Sequence, residues 1–87
     1  EFLNGEIIEI QVFLTSEGKN KYKSILHKRP HTYEVNGDIY HFKCTEFQAI
    51  AYFSKFGKDA VIVEPKTLKD KLCKFYLDAY ENYIKTN

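Results

Sequence analysis

The densest run of chemically useful side chains lies between Lys19 and His31. Lys19, Lys21, Lys23, Lys28 and Arg29 stand there with no acid among them, and His27 and His31 fall beside them. Ammonium and guanidinium groups at that density neutralise phosphates, and a positive stripe next to aromatic rings suits a single nucleic-acid strand or a nucleotide. Arg29 is the strongest single candidate, because a guanidinium grips a phosphate or carboxylate through two parallel N–H bonds. Its place on the apolar stripe of the helix drawn below also predicts partial burial and a partner, such as an acid of the last helix. The ordinary reading of the same lysines is a solvated helix face.

Other reactive groups are sparse. His31 and His41 fall on strands expected to pair, with Glu9 and Glu34 nearby, but their spacing is not that of a ligand cluster, so no metal is expected. No Ser lies in a G-x-S-x-G frame, no Cys has an adjacent base, and there is no glycine-rich phosphate loop. The expectation is therefore a non-catalytic domain without a cofactor. Cys44 and Cys73 are the only cysteines, far apart, and read as buried thiols of a reducing, cytoplasmic setting.

Size and composition fit one small domain. The chain has 87 residues, 44% apolar and 16% aromatic, with a net charge of +1. A chain this short buries only about 60% of its extended surface, so it depends on good packing or on a partner. No apolar run in this sequence is long enough to span a membrane, and neither a membrane span nor a signal peptide is expected. The sequence opens on Glu1, which raises the expectation of a fragment of a longer protein.

Seven elements must position these groups. Glu1 to Glu6 is a polar lead-in with an Asn4-Gly5 turn pair. Ile7 to Leu14 alternates as a strand, with Ile8, Ile10, Val12 and Leu14 on one face. Thr15-Ser16 caps a helix over 17–29, with Tyr22, Ile25, Leu26 and Arg29 as its stripe; Gly18 weakens its start and Pro30 ends it. Strands over 31–36 and 39–44 flank the turn signal Asn36-Gly37-Asp38, with Tyr33 and Val35 facing inward. Thr45 caps a helix over 46–56, whose stripe is Phe47, Ile50, Ala51 and Ser54, widened by Phe53, and Gly57 closes it. A strand follows at 60–64, and Pro65 breaks it. The last helix, over 66–84, opens on a Thr67/Asp70 capping box and is about 25–28 Å long.

The order β-α-β-β-α-β predicts an α+β, ferredoxin-like domain: a four-stranded antiparallel sheet, two helices on one face, and an additional long C-terminal helix. Ile7, Glu9, Gln11, Phe13, Ile39, His41, Lys43 and Ile62 are expected to line the open sheet face. Paired aromatics of the kind that bind RNA on such a sheet are missing, so a protein interface through Phe13 is the better expectation. The last helix carries one stripe of Leu68, Leu72, Phe75, Tyr76, Ala79 and Tyr83, and a second of Cys73, Leu77, Tyr80 and Ile84. Phe75, Tyr76, Tyr80 and Tyr83 exceed what one small sheet needs to bury, so they are expected at an interface, most simply of a homodimer.

Gly57, Val61, Val63, Pro65 and Leu68 form a pattern of glycine, apolar strand, V-E-P turn and helix start. This pattern resembles the closing segment of the C-terminal extension (WCX) of bacterial WYL-domain transcriptional regulators. Lys69 stands where arginine is more usual, and Asp38 follows the turn glycine instead of preceding it. The resemblance runs from about Ile7 to Tyr83. It implies a ferredoxin-like module, used for dimerisation and effector sensing, including of single-stranded DNA. A preceding WYL domain and a DNA-binding helix-turn-helix would lie elsewhere in the parent chain, since this sequence has neither motif. A purely structural assembly domain and a free-standing small-molecule binder are the other readings. For the binder, only Thr15-Ser16-Glu17-Gly18 occupies the position of the ligand loop.

Overall fold

A computed structural model describes residues 5–86; most of the expected lead-in, through Asn4, lies outside the described residues. β1 (Ile7–Leu14) buries Ile10, Val12 and Leu14 completely on one face, as its two-residue period requires. The Thr15 hydroxyl accepts the Gly18 N–H at 3.0 Å and caps α1 (Ser16–Ser24).

α1 stops at Ser24, five residues short of the expected end at Arg29. Ile25 is already extended, and Lys28 adopts a positive φ of 57°. Pro30 sets only an outer limit. The buried Tyr52 hydroxyl needs an acceptor, and the Ile25 carbonyl, released from the helix, takes it at 2.7 Å. Lys28 and Arg29 therefore belong to a loop and not to a helical stripe.

β2 (Thr32–Asn36) and β3 (Ile39–Thr45) form a hairpin around Gly37-Asp38. Gly37 carries the positive φ, 63°, at the first central position, the arrangement of a II′ turn. A register shift between Thr32 and Glu34 bulges β2 and turns Tyr33 to the open face, against His41 and Lys43. The expected inward side of Tyr33 is thus reversed, and Val35, on an edge strand, stays exposed.

Thr45 caps α2 (Glu46–Phe53), accepting from the Gln48 N–H at 3.0 Å, and a 3₁₀ segment (Ser54–Asp59) follows. Gly57 sits inside that segment with a φ of 59°. The face that packs is Ala49, Tyr52, Phe53 and Phe56, spaced i, i+3, i+4, i+7, and not the expected stripe through Phe47, Ala51 and Ser54. It buries three aromatic rings where the alternative would bury one beyond Phe53, and Phe47 is left 79% exposed. Phe42 joins these rings at a centroid distance of 5.3 Å from Phe53.

β4 (Ala60–Glu64) starts opposite the core-facing Leu14, so Ala60 and Ile62 point inward and Val61 and Val63 outward. Ile62 therefore lies in the core and not on the open face. α3 (Lys66–Lys85) begins directly after Pro65. No side chain caps it; Asp70 pairs with Lys66 at 2.8 Å, so the expected box with Thr67 does not form.

The strand order is β2-β3-β1-β4 with every neighbour antiparallel. With its helices this is the expected α+β, ferredoxin-like arrangement. α3 joins the helical layer beside β4 and α2, burying Leu68 and Leu72 and half-burying Tyr76.

Candidate assembly and ligand surfaces

Three of the five basic residues singled out in the sequence have partners inside the chain. Lys19 pairs with Asp38 at the hairpin turn, a bond that also holds its ammonium above the usual lysine range. Lys21 reaches the Asp59 carboxylate at 3.0 Å and the Phe56 carbonyl at 3.2 Å. Arg29 lies over the Tyr22 ring, 4.9 Å from its centroid, and donates to the Tyr22 carbonyl at 3.1 Å. Its partner is this tyrosine, and not the expected acid of the last helix. Among the described residues the Lys23 and Lys28 side chains make no ion pair, and both are exposed.

Tyr22 organises this corner. Its hydroxyl donates to the Pro30 carbonyl at 2.7 Å and accepts the Thr32 N–H at 3.2 Å, while its ring packs on Tyr40, Phe42 and Tyr52. Burial raises its hydroxyl pKa above the ordinary tyrosine value.

The open sheet face pairs Phe13 with Ile39 on one side and Val61 on the other, and Gln11 with His41. Phe13 is half-buried there. Asn36 Nδ2 donates to Glu34 at 2.9 Å and lies 3.3 Å from His41 Nε2. Among the described residues no group of three or more His, Cys, Asp or Glu side chains could hold a metal ion.

α3 divides near Tyr76. Up to that point its inner side packs, and the Tyr76 hydroxyl lies 3.2 Å from the carbonyls of Phe53 and Ser54. Beyond it every described residue is exposed. At 100° per residue, Leu77, Tyr80, Tyr83 and Ile84 fall within one continuous apolar arc. Lys74 and Asp78, 3.1 Å apart, occupy the opposite side. Tyr80 is 63% and Tyr83 76% exposed. Of the expected interface residues, Tyr80 and Tyr83 therefore stand free on the domain, Phe75 is part-exposed with its ring edge-on to Tyr76, and Tyr76 is stitched into the domain.

Two concave features escaped the sequence reading. One is a cleft of about 530 Å³ at one end of the sheet, lined by Glu6, Glu9, Glu46, Phe47 and Pro65 among others. The other is a groove of about 270 Å³ between β4 and α3, whose walls include Ala60, Ile62, Leu72, Cys73 and Tyr76. Cys73 stands exposed at this groove, not buried as expected, whereas Cys44 is buried and its thiol is pushed up to about 11 by burial. The only local signal for the groove was the small Ala60 beside a strand whose partner count the sequence does not reveal.

No family model and no curated protein matches the chain. A solved structure described as that of a CRISPR Cas-related protein does match, with a TM-score of 0.80 and 27% identity. The match covers 94% of this chain and 22% of that one. No helix among the described residues is long and apolar enough to cross a membrane.

Proposed function

We propose that this chain is a non-catalytic C-terminal module of a WYL-type regulator connected with CRISPR systems, and that it joins two copies of its parent through the second half of α3. The observation that carries the reading is the exposed apolar arc of Leu77, Tyr80, Tyr83 and Ile84 on a helix whose first half is already satisfied by its own core. A surface of this kind, backed by a charged side, is suited to meeting another apolar face. The match to about a fifth of a longer CRISPR Cas-related chain (22%) supports a module within a larger protein. The V-E-P segment at Val63–Pro65 supports the WYL-type parent, whose preceding domain is the second expected partner. Sedimentation velocity tests the assembly: the wild-type chain should run as a dimer at tens of micromolar. The double variant Tyr80→Glu/Ile84→Glu should run as a folded monomer. A wild-type monomer at that concentration defeats the reading.

A second reading rests on Lys23 and Lys28, exposed and unpaired among the described residues, near the Arg29–Tyr22 stack. It gives the module a single-stranded nucleic acid or nucleotide effector. Titration of a labelled oligonucleotide at low and moderate salt tests it, since phosphate contacts weaken steeply with salt. Binding that ignores salt, or ignores Lys23→Glu/Lys28→Glu, speaks against this corner.

A further inference from the structure

We propose that the α3 arc seats on the open sheet face of a second copy, across Ile39, Phe13 and Val61, and that two copies do this reciprocally about a two-fold axis. The inference rests on the pairing through α3 proposed above and names the surface that the arc meets. All three helices pack on the other face of the sheet: Tyr22, Phe53 and Leu72 join the core that contains Ile10, Val12 and Phe42. On a solvated face of an antiparallel sheet the outward residues are ordinarily polar. One half of the open face keeps that rule, with Glu9 opposite Lys43. The other half breaks it. Ile39, Phe13 and Val61 are direct neighbours across β3, β1 and β4. Val61 is 45% exposed, and Val63, also outward, is 38% exposed.

Length and position suit the arc to this row. Leu77 to Ile84 rises about 10 Å along the helix axis, and three adjacent strands span about 10 Å. Val61 and Tyr76 line one groove, so α3 leaves its own core level with the end of the sheet that carries the row. A two-fold axis at that end brings each arc to the row of the other copy. The row of the same copy is out of reach. Tyr76 is anchored on the helical side, 3.2 Å from the Phe53 and Ser54 carbonyls, and the helix runs on from there.

Area favours this exchange over two arcs laid side by side. The four side chains of the arc can bury on the order of 500 Å², short of the ~800 Å² per partner of a standard interface. In the exchange each copy contributes an arc and a row, which closes that gap. The contact is isologous, so it is complete at two copies.

The test is crosslinking between two differently tagged forms of the intact chain, both carrying Cys73→Ser to remove the exposed thiol. One form carries Val61→Cys and the other Tyr80→Cys, and the reagent is a short bis-maleimide. The mixed 61–80 product should dominate over the 80–80 product. In sedimentation velocity, Val61→Glu/Val63→Glu should raise the dimer dissociation constant at least about tenfold. Both side chains are exposed, and circular dichroism checks that the fold is kept. An 80–80 product alone, or a Val61→Glu/Val63→Glu dimer as tight as wild type, overturns the seat on the sheet and leaves pairing through α3 standing. A wild-type monomer at tens of micromolar overturns both.

Discussion

Lys21 and Asp59, 38 positions apart in the chain, meet as an ion pair at 3.0 Å and lock the last turn of α1 to the end of the 3₁₀ segment that leads into β4. Thr15 completes the lock, accepting the Gly18 N–H at 3.0 Å while donating to the Asp59 carboxylate at 2.8 Å. A methyl group at Gly18 would stand 2.1 Å from the Asp59 carbonyl oxygen, so the approach of helix to strand requires glycine. The residue that weakens a helix by propensity is here the one that lets it close on the sheet. Gly18→Ala should destabilise the domain by about 1–3 kcal/mol, read from urea denaturation.

The same lock has an acid limb. The Lys21 ammonium, and then the Thr15 hydroxyl, hold the Asp59 carboxyl below the usual carboxylate range. A lowered folded pKa gives stability that is present above the unfolded value, about 3.9, and lost as pH falls through the folded one. Asp59→Asn should be less stable than wild type at neutral pH, and the gap should close under acid. A gap that persists unchanged below that range would assign the lock to shape and not to charge.

An alkaline limb should come from Tyr52. Burial pushes its hydroxyl up to about 12, against an unfolded value of about 10. Folding favours the neutral phenol, so this stability is complete below pH ~10 and is lost as pH rises through about 12. Tyrosinate absorbance should show a late group that ionises with unfolding, and Tyr52→Phe should remove it while losing the hydrogen bond to the Ile25 carbonyl.

The two thiols should differ in reactivity. Cys73 is exposed, while Cys44 is buried and pushed up to about 11. An aromatic disulfide reagent should modify one thiol promptly and the second only at the rate of unfolding. Cys73→Ser should leave only the slow phase.

These outcomes also mark where the sequence was informative. Alternation located β1, and a β-branched run closed by Pro65 located β4, at their observed ends, and Thr15 and Thr45 announced both caps through the chemistry of a hydroxyl accepting N–H groups. Long-range demands were hidden. The end of α1 answers to Tyr52, the buried face of α2 to Phe42, and the side of Tyr33 to a bulge against β3. Of the surface residues, the lysines were visible as a group, but which of them lie near Asp38 and Asp59 depends on how the topology folds back. The free α3 arc was readable as an excess of apolar residues; the groove beside β4 was not, because edge position belongs to the sheet and not to the strand.

The division of α3 at Tyr76 has a bearing on how such chains diverge. Leu68, Leu72 and Tyr76 answer to this domain's own interior. Leu77, Tyr80, Tyr83 and Ile84 are exposed and lie outside that core, so it constrains them less. Descendants of one ancestor should hold the first set nearly constant and exchange the second set together, in blocks, each time the surface it meets changes. A single helix would then record two histories, one of a fold and one of a companion.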